Sequence, residues 1–248
     1  MFDPAAWIQA ARPLAQINIA LPLLLGQAMA FAALGRFSVG LLYCAGVFGT
    51  LAQLVIVFVN DFADRETDAH NTTFSRFSGG SRVLPEGRLA PATLRRAALV
   101  VLAVFVLFCV GLAVLSRPWM PAFGLATALL VWAYNHPPLR LAYRGHGELL
   151  QGLGIGVVLP LAGYYLQAGT LTGFAWPALV PLLLLGYAGN IVTALPDAPS
   201  DRASDKRSYP VRRGQWVARR HALELLAMAA AASSWVLPGL SLLGTALV

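Results

Sequence analysis

Residues 51–71 read LAQLVIVFVNDFADRETDAHN. The first nine hold a single polar side chain, Gln53, and the next twelve hold four acids, Asp61, Asp64, Glu66 and Asp68. Followed upstream, the apolar run begins near residue 38, so 38–59 is long enough to cross a bilayer, which takes about 20 mostly apolar residues. At helical spacing Asn60, Asp64 and Asp68 fall at i, i+4 and i+8, and Asp61 joins the stripe through its i+3 and i+7 neighbours. Like charges so placed destabilise a helix by about 0.2–0.5 kcal/mol each in water, and by more where a membrane lowers the local dielectric. A hydrophobic helix that ends in such a stripe is expected to hold cations.

The rest of the chain agrees with a membrane reading. Of 248 residues, 58% are hydrophobic and 12% charged, and the mean hydropathy is +0.66, against roughly 45–50% apolar and about 25% charged in soluble domains. So few charges cannot clothe a soluble globule, which excludes an ordinary soluble enzyme, a disordered chain, a collagen-like repeat and a small disulfide scaffold. Broken at its charge and Pro/Gly clusters, the sequence gives about seven apolar stretches, at 13–35, 38–59, 94–116, 118–134, 149–168, 173–195 and 217–237. The fourth, opening on Pro118 and Pro121, is the shortest. Beyond Pro238, SLLGTALV (241–248) begins an eighth stretch with too few residues to span. The expected fold is an all-α, polytopic transmembrane bundle, a single domain over 1–248. Pro4 and the residues from Trp7 to Arg12 read as an interfacial lead into the first helix, not as a cleaved signal peptide. Cys44 and Cys109 sit inside apolar runs and read as packing residues.

A net charge of +7 raises the question of a nucleic-acid partner, but the positions of the charges answer it differently. If the first helix starts on the cytoplasmic side, the loops around 60–96, 135–148 and 196–220 share that side, and of 18 Lys and Arg residues only Arg36 and Arg117 fall opposite. The positive-inside rule then makes the crowded face cytoplasmic. The expectation is an integral protein of a bacterial inner membrane, with its N-terminus and polar loops in the cytoplasm and no nucleic-acid partner. The acids gather on the same face, and because only basic residues orient a topology, they need another reason to be there.

That reason is supplied by a second cluster. ALPDAPSDRASDKRS (194–208) repeats the spacing at Asp197, Asp201 and Asp205, with Pro199 marking a break or a first helical turn. Oxygen donors from Asp and Asn, with no Cys or His at metal spacing, suit Mg²⁺ over zinc or copper. Mg²⁺ is held by one or two carboxylates together with substrate phosphates, so a metal-bridged phosphate or diphosphate is the natural occupant. Arg82, Arg140, Arg144, Lys206 and Arg207 lie in the same loops, placed to hold phosphate oxygens and to absorb charge on a leaving group. Gly152, Gly154 and Gly156 follow no strand and read as small residues for close helix packing, not as a nucleotide loop. His70, His136 and His146 form no metal motif; one of them, Glu148 or a metal-side Asp is a candidate general base.

The paired motifs, N-D-x-x-D-x-x-x-D at 60–68 and D-x-x-x-D-x-x-x-D-K at 197–206, resemble those of the UbiA superfamily of intramembrane prenyltransferases. Arg12-Pro13 before the first helix and YNHPPLRLAYRGHGELL (134–150) are similar to family landmarks in the same order, so the resemblance covers nearly the whole chain. FSGGSRVLPEGRLAP (77–91) and DKRSYPVRRG (205–214) look most like the branch acting on 1,4-dihydroxy-2-naphthoate in menaquinone synthesis. The resemblance implies a central cavity open to the cytoplasmic face and nine transmembrane helices, of which about seven full helices and the start of an eighth are legible in this chain. The last two are expected to be missing, with the metal site still specified.

The resemblance also implies roles. Asn60, Asp64, Asp68, Asp197 and Asp201 would hold two Mg²⁺ ions, supported by Asp61 and Asp205, with Asp64, Asp68, Asp197 and Asp201 essential to the reaction. Arg82 and Lys206 would contact the diphosphate of a polyprenyl diphosphate, the partner of an aromatic acceptor. Some relatives carry Tyr-x-x-x-Lys after the fourth helix; here the position four after Tyr134 is Pro138, and Arg140, with Arg144, takes that place. Tyr134 and Tyr143 are candidates near the mouth, although Tyr is enriched at membrane interfaces in any case. Other acceptors (4-hydroxybenzoate, a glycerol or sugar phosphate), an intramembrane terpene cyclase and, from a different class, a cation transporter remain open on the residues alone.

Overall fold

The computed structural model describes residues 3–75 and 78–236. Within them the chain forms α1 (Pro4–Ala11), α2 (Ile17–Leu34), α3 (Val39–Ala63), α4 (Arg65–Ala69), α5 (Pro91–Val114), α6 (Met120–Asn135), α7 (Gly147–Leu153), α8 (Leu159–Ala168), α9 (Leu179–Ala194), α10 (Ala198–Ala203), α11 (Tyr209–Arg213) and α12 (Gln215–Val236). The fold is all-helical, with no strand among the described residues. α7 runs into α8 through a π-helical turn, Gly154–Val158.

Five segments are long and apolar enough to cross a membrane: Pro4–Leu34, Val39–Ala63, Pro91–Val114, Gly147–Ala168 and Trp176–Ala194. They coincide with the first, second, third, fifth and sixth stretches expected from sequence. The fourth and seventh are helices too, but α6 has 16 residues, about 24 Å of rise, short of a hydrocarbon core of roughly 30 Å. α12 carries Arg219, Arg220 and Glu224 among its first ten residues. The eighth stretch, SLLGTALV, lies outside the described residues.

Local chemistry sets the helix ends that matter. α3 begins where Ser38 Oγ accepts the Leu41 N–H at 3.3 Å, an N-cap that satisfies one of the free donors of the first turn. Its 25 residues rise about 37 Å, so an α3 that spans the apolar layer must carry its acidic last turn beyond it. α5 opens at Pro91, whose missing N–H has no partner to lose there.

One buried cluster joins α2, α3, α5, α6 and α8 around Leu23, Phe48, Phe105 and Tyr165, with the Phe48 and Phe105 rings 5.1 Å apart. A second joins α9 to α12 through Ala188, Ile191, Ala218 and Ala222. α1 lies back against α3 and α5, its Ala6 and Ala10 packed with Phe58, Val83 and Leu94. Two helix pairs touch backbone to backbone. A Cβ on Gly163 of α8 would sit 3.1 Å from Leu23 Cα, and one on Gly26 of α2 would sit 2.8 Å from the Tyr164 nitrogen. Between the α7 rod and α9, a Cβ on Gly156 would sit 2.5 Å from Leu183 Cα and one on Gly186 would sit 3.0 Å from Gly152 Cα. Small residues permit such approach in a bilayer, where packing and not exclusion from water holds helices together.

Forcing a side chain into such a contact costs about 1–3 kcal/mol. Gly26→Val is therefore expected to lower the midpoint of heat-induced aggregation in detergent by roughly 5 °C, whereas Gly111→Ala, at a site with no neighbour within 4 Å, is expected to leave it in place.

Candidate active site

The first acidic motif keeps its register through a break. α3 ends at Ala63 and α4 starts at Arg65, yet the Asp64 N–H donates to the Asn60 carbonyl at 2.8 Å and the Asp68 N–H to the Asp64 carbonyl at 2.8 Å. Asn60, Asp64 and Asp68 consequently face one cavity. Asp61 does not. Its carboxylate is buried behind the stripe, ion-paired with the Arg12 guanidinium and accepting the Ser81 N–H at 3.3 Å.

The second motif breaks where expected, at its N-terminus. Asp197 is the N-cap of α10, and Pro199 falls in the first turn, where it is tolerated. The Asp201 N–H donates to the Asp197 carbonyl at 2.8 Å, so Asp197 and Asp201 both reach the cavity. Asp205 is the exception to the expected stripe: its backbone is left-handed, φ 54°, and it is exposed. The next N–H, of Lys206, returns to the Asp201 carbonyl at 2.8 Å. The turn that sends Asp205 outward sends Lys206 inward.

Lys206 joins the two motifs. Its Nζ lies 2.8 Å from Asp64 Oδ2 and 3.7 Å from Asp201 Oδ1. Asp64 is further held by the Tyr143 hydroxyl, which donates to Oδ1 at 2.9 Å, and by Asn60 Nδ2, 3.2 Å from Oδ2. Asn60 Nδ2 also donates to Asn135 Oδ1 on α6 at 3.2 Å. Asp197 accepts from Asn71 Nδ2 at 2.8 Å and from the Gly79 N–H at 3.1 Å, while Ser208 Oγ donates to Asp201 Oδ2 at 2.6 Å. The loop after α4 thus reaches across from one motif to the other. It needs glycine to do so: Gly79 and Gly80 have φ of 78° and 73°, and a Cβ on Gly80 would lie 2.9 Å from Asp68 Cγ.

Four carboxylates, Asp64, Asp68, Asp197 and Asp201, line the cavity mouth, and among the described residues the cations lining it are Lys206, paired with Asp64 and Asp201, and Arg12, spent on Asp61. The imbalance shows in their acidity. Burial, with the charges of Asp64 and Asp61, pushes Asp68 up to about 7. Burial pushes Asp201 up to about 6 against the pull of Lys206, and raises Asp197 despite its donors. Burial works against the Lys206 charge, but Asp64 and Asp201 outweigh it and hold its ammonium well above the usual lysine range. Among the described residues no three acidic, His or Cys side chains come together as a ready-made metal cage. Oxygen donors with unbalanced charge, and too few to enclose an ion, match Mg²⁺, which keeps open positions for water and phosphate.

Other residues singled out in the sequence fall elsewhere. Tyr134 lines the cavity. Arg82 does not: its guanidinium is turned onto the Asp68 and Asn71 carbonyls and lies 4.4 Å over the Phe74 ring, so it fastens the loop. Arg140 stacks 3.6 Å over Tyr143, and Arg144 is exposed; neither lines the cavity. Among the described residues no histidine lines it, nor does Glu148, which is buried and accepts the Tyr209 N–H at 2.7 Å. That bond belongs to a strap between two loops, completed by the Arg207 N–H to the Tyr143 carbonyl at 3.2 Å and Arg212 Nη1 to the Gly145 carbonyl at 2.8 Å. Sequence reasoning missed the parts played by Arg12, Asn71 and Asn135. The signal available for Arg12 was a guanidinium set immediately before the first apolar run.

Below the acids the cavity, about 290 Å³ in volume, is lined by apolar Ile19, Ala52, Ile56, Val131, Ile155 and Leu159 and by polar Asn18, Gln53, Thr127, Tyr134, Gln151, Asn190 and Thr193.

With this geometry in hand, comparison with known proteins is specific. The 1,4-dihydroxy-2-naphthoate octaprenyltransferase of Mycobacterium tuberculosis is 28% identical over 225 residues, covering 91% of this chain and 75% of that protein. The Bacillus subtilis protein of the same name is 27% identical over 208 residues, 83% of this chain and 64% of that one. The structure of a UbiA homolog from Archaeoglobus fulgidus bound to DMAPP and Mg²⁺ superposes with a TM-score of 0.73 at 17% identity, over 94% of this chain and 77% of that one. Residues 19–248 match the UbiA prenyltransferase family, and the chain belongs to that family of membrane-embedded enzymes.

Proposed function

We propose that this chain transfers a prenyl group from a polyprenyl diphosphate to a hydroxylated aromatic acceptor, 1,4-dihydroxy-2-naphthoate, as a step in making menaquinone. The observation that carries the reading is the meeting of Asp64 and Asp201 on Lys206 at the acidic mouth of the cavity. The naphthoate is favoured over other acceptors by the relatives of that name and by the tracts at 77–91 and 205–214. The excess of basic residues around the acid motifs supports a cytoplasmic mouth in a bacterial inner membrane.

Asp64, Asp68, Asp197 and Asp201, with the Asn60 amide oxygen, are the residues that would hold Mg²⁺, two ions in this reading. When bound, Mg²⁺ supplies the positive charge that cancels diphosphate oxygens and stabilises the departing pyrophosphate. The chain's own residues do the rest. Lys206 donates to the diphosphate from between the motifs, in a buried site where charge stabilisation is strong. Tyr143 and Asn60 keep Asp64 aimed. The apolar side chains of the cavity take the prenyl tail and keep water from the allylic carbon as its C–O bond opens, so that the ring, giving up a proton or its carboxylate as CO₂, and not solvent is alkylated.

The reading is tested by incubating detergent-solubilised protein with Mg²⁺, a labelled prenyl diphosphate and a panel of acceptors. A prenylated product is expected from 1,4-dihydroxy-2-naphthoate; product only from glycerol phosphate, or none from any acceptor, would count against it. Asp64→Asn and Asp201→Asn are expected to cut turnover by about 100-fold or more with normal membrane insertion. Asp205→Asn, at an exposed site, should stay within about twofold of the parent, and equal losses at all three positions would remove the distinction between the inward and outward acids.

Acidity gives a further check. Asp68 at about 7 and Asp201 at about 6 are partly protonated at pH 6 and must lose those protons to take a divalent ion. Apparent Mg²⁺ affinity should therefore rise with pH from 6 to 8, by about tenfold from Asp68 alone, and level off above. Titration calorimetry in buffers of different ionisation enthalpy reads the released protons, and a flat dependence over that range would contradict the assignment.

A further inference from the structure

Two turns below the acids, the cavity lining holds polar side chains that nothing above has used. Asn190 lies seven residues before Asp197, about 10 Å deeper along α9. Its Nδ2 donates to Gln151 Oε1 of α7 at 2.5 Å. The two helices come together one turn away, where Gly186 of α9 meets Gly152, the chain neighbour of Gln151. Both amides line the cavity. The Asn190 amide also meets the Tyr134 hydroxyl, and the amide-to-amide bond leaves the Asn190 carbonyl oxygen and the Gln151 N–H₂ unconsumed.

A prenyl tail has no use for these groups. Polar atoms pressed against hydrocarbon without partners cost about 1–3 kcal/mol each, and Ile19, Ile56, Ile155 and Leu159 offer the tail apolar contacts elsewhere in the cavity. No charged side chain reaches this depth: the charged groups lining the cavity are the mouth's aspartates, Arg12 and Lys206. What suits an acceptor oxygen and an N–H donor side by side, in a slot also lined by Tyr134, is an uncharged hydroxyl on a flat ring. Its O–H can donate to the amide oxygen and its lone pair can accept from the amide nitrogen.

We propose that Gln151 and Asn190 seat the aromatic acceptor, gripping a ring hydroxyl and selecting hydroxylated arenes over rings without one. This inference rests on the prenyl-transfer reading and adds where its second substrate sits. An anionic substituent on the ring has no cation at this level, so it is directed toward Lys206 at the mouth.

The test uses steady-state kinetics of the full chain in detergent, with Asn190→Leu and Gln151→Met as variants on separate helices, so that poor folding of one leaves the other informative. Each is expected to raise the KM for 1,4-dihydroxy-2-naphthoate about tenfold or more, the loss of one satisfied hydrogen bond. The KM for prenyl diphosphate should stay within about twofold. Inhibition by 2-naphthoate, the same bicyclic acid without ring hydroxyls, should likewise be unchanged. An unaltered acceptor KM in both variants, or a parallel loss of affinity for the acceptor, 2-naphthoate and prenyl diphosphate, would overturn the subsite and mark the amides as structural. If the unsubstituted protein prenylates no hydroxylated arene at all, the functional reading falls first and the subsite with it; if it does, the variant kinetics judge the subsite alone.

Discussion

The organisation of this protein turns on one unbalanced set of charges. Asp64, Asp68, Asp197 and Asp201 are drawn out of water at the end of an apolar bundle with Lys206 as the cation between them. Carboxylates so placed repel one another strongly wherever the dielectric is low, and burial alone would neutralise them by raising their proton affinity. The arrangement is tenable in the ionised form when positive charge arrives from outside. Helix lengths, the break at Asp64 and the left-handed turn at Asp205 all serve to assemble that deficit, and the loop with Gly79 and Gly80 holds its two halves at a fixed separation.

The parts of this design that could be read from the chain are those governed by local geometry. The spacing of Asn60, Asp64 and Asp68 survives because the four-residue hydrogen-bond register passes through Asp64 even where the helix stops. Helix positions followed from apolar runs for the same reason. What could not be read depends on tertiary direction. Asp205 continues the second motif's spacing, but one left-handed residue reverses its side chain relative to Lys206. Arg82, Arg140 and Arg144 were grouped with the site by the loops they share, and only the packed loops reveal that Arg82 faces carbonyl groups and Arg140 faces a ring. Arg12 meets Asp61 across 49 residues of chain, a pairing that no spacing rule anticipates.

Glycine contacts link the bundle to its interior. The touch between the α7 rod and α9, which the sequence presents only as scattered Gly152, Gly156 and Gly186, holds these two helices together beside the cavity. The π-helical turn after α7 places Ile155 and Leu159 on the cavity as well, so polar and apolar surfaces alternate within one rod. Packing glycines thus stand next in the chain to, or one turn from, the residues that line the cavity, Gln151, Ile155 and Asn190.

The strap joining residues 143–148 to 207–212 bears on how the enzyme tolerates genetic variation. Its three linkages, at Tyr143, Gly145 and Glu148, are independent, and two of them use a backbone carbonyl as acceptor, a group that exchange of the side chain leaves in place. Loss of any single linkage leaves two others to keep the loops in step. Lys206 joins Asp64 and Asp201 through one side chain, so a substitution there removes the whole linkage at once, where the scaffold around the mouth loses one contact and keeps two.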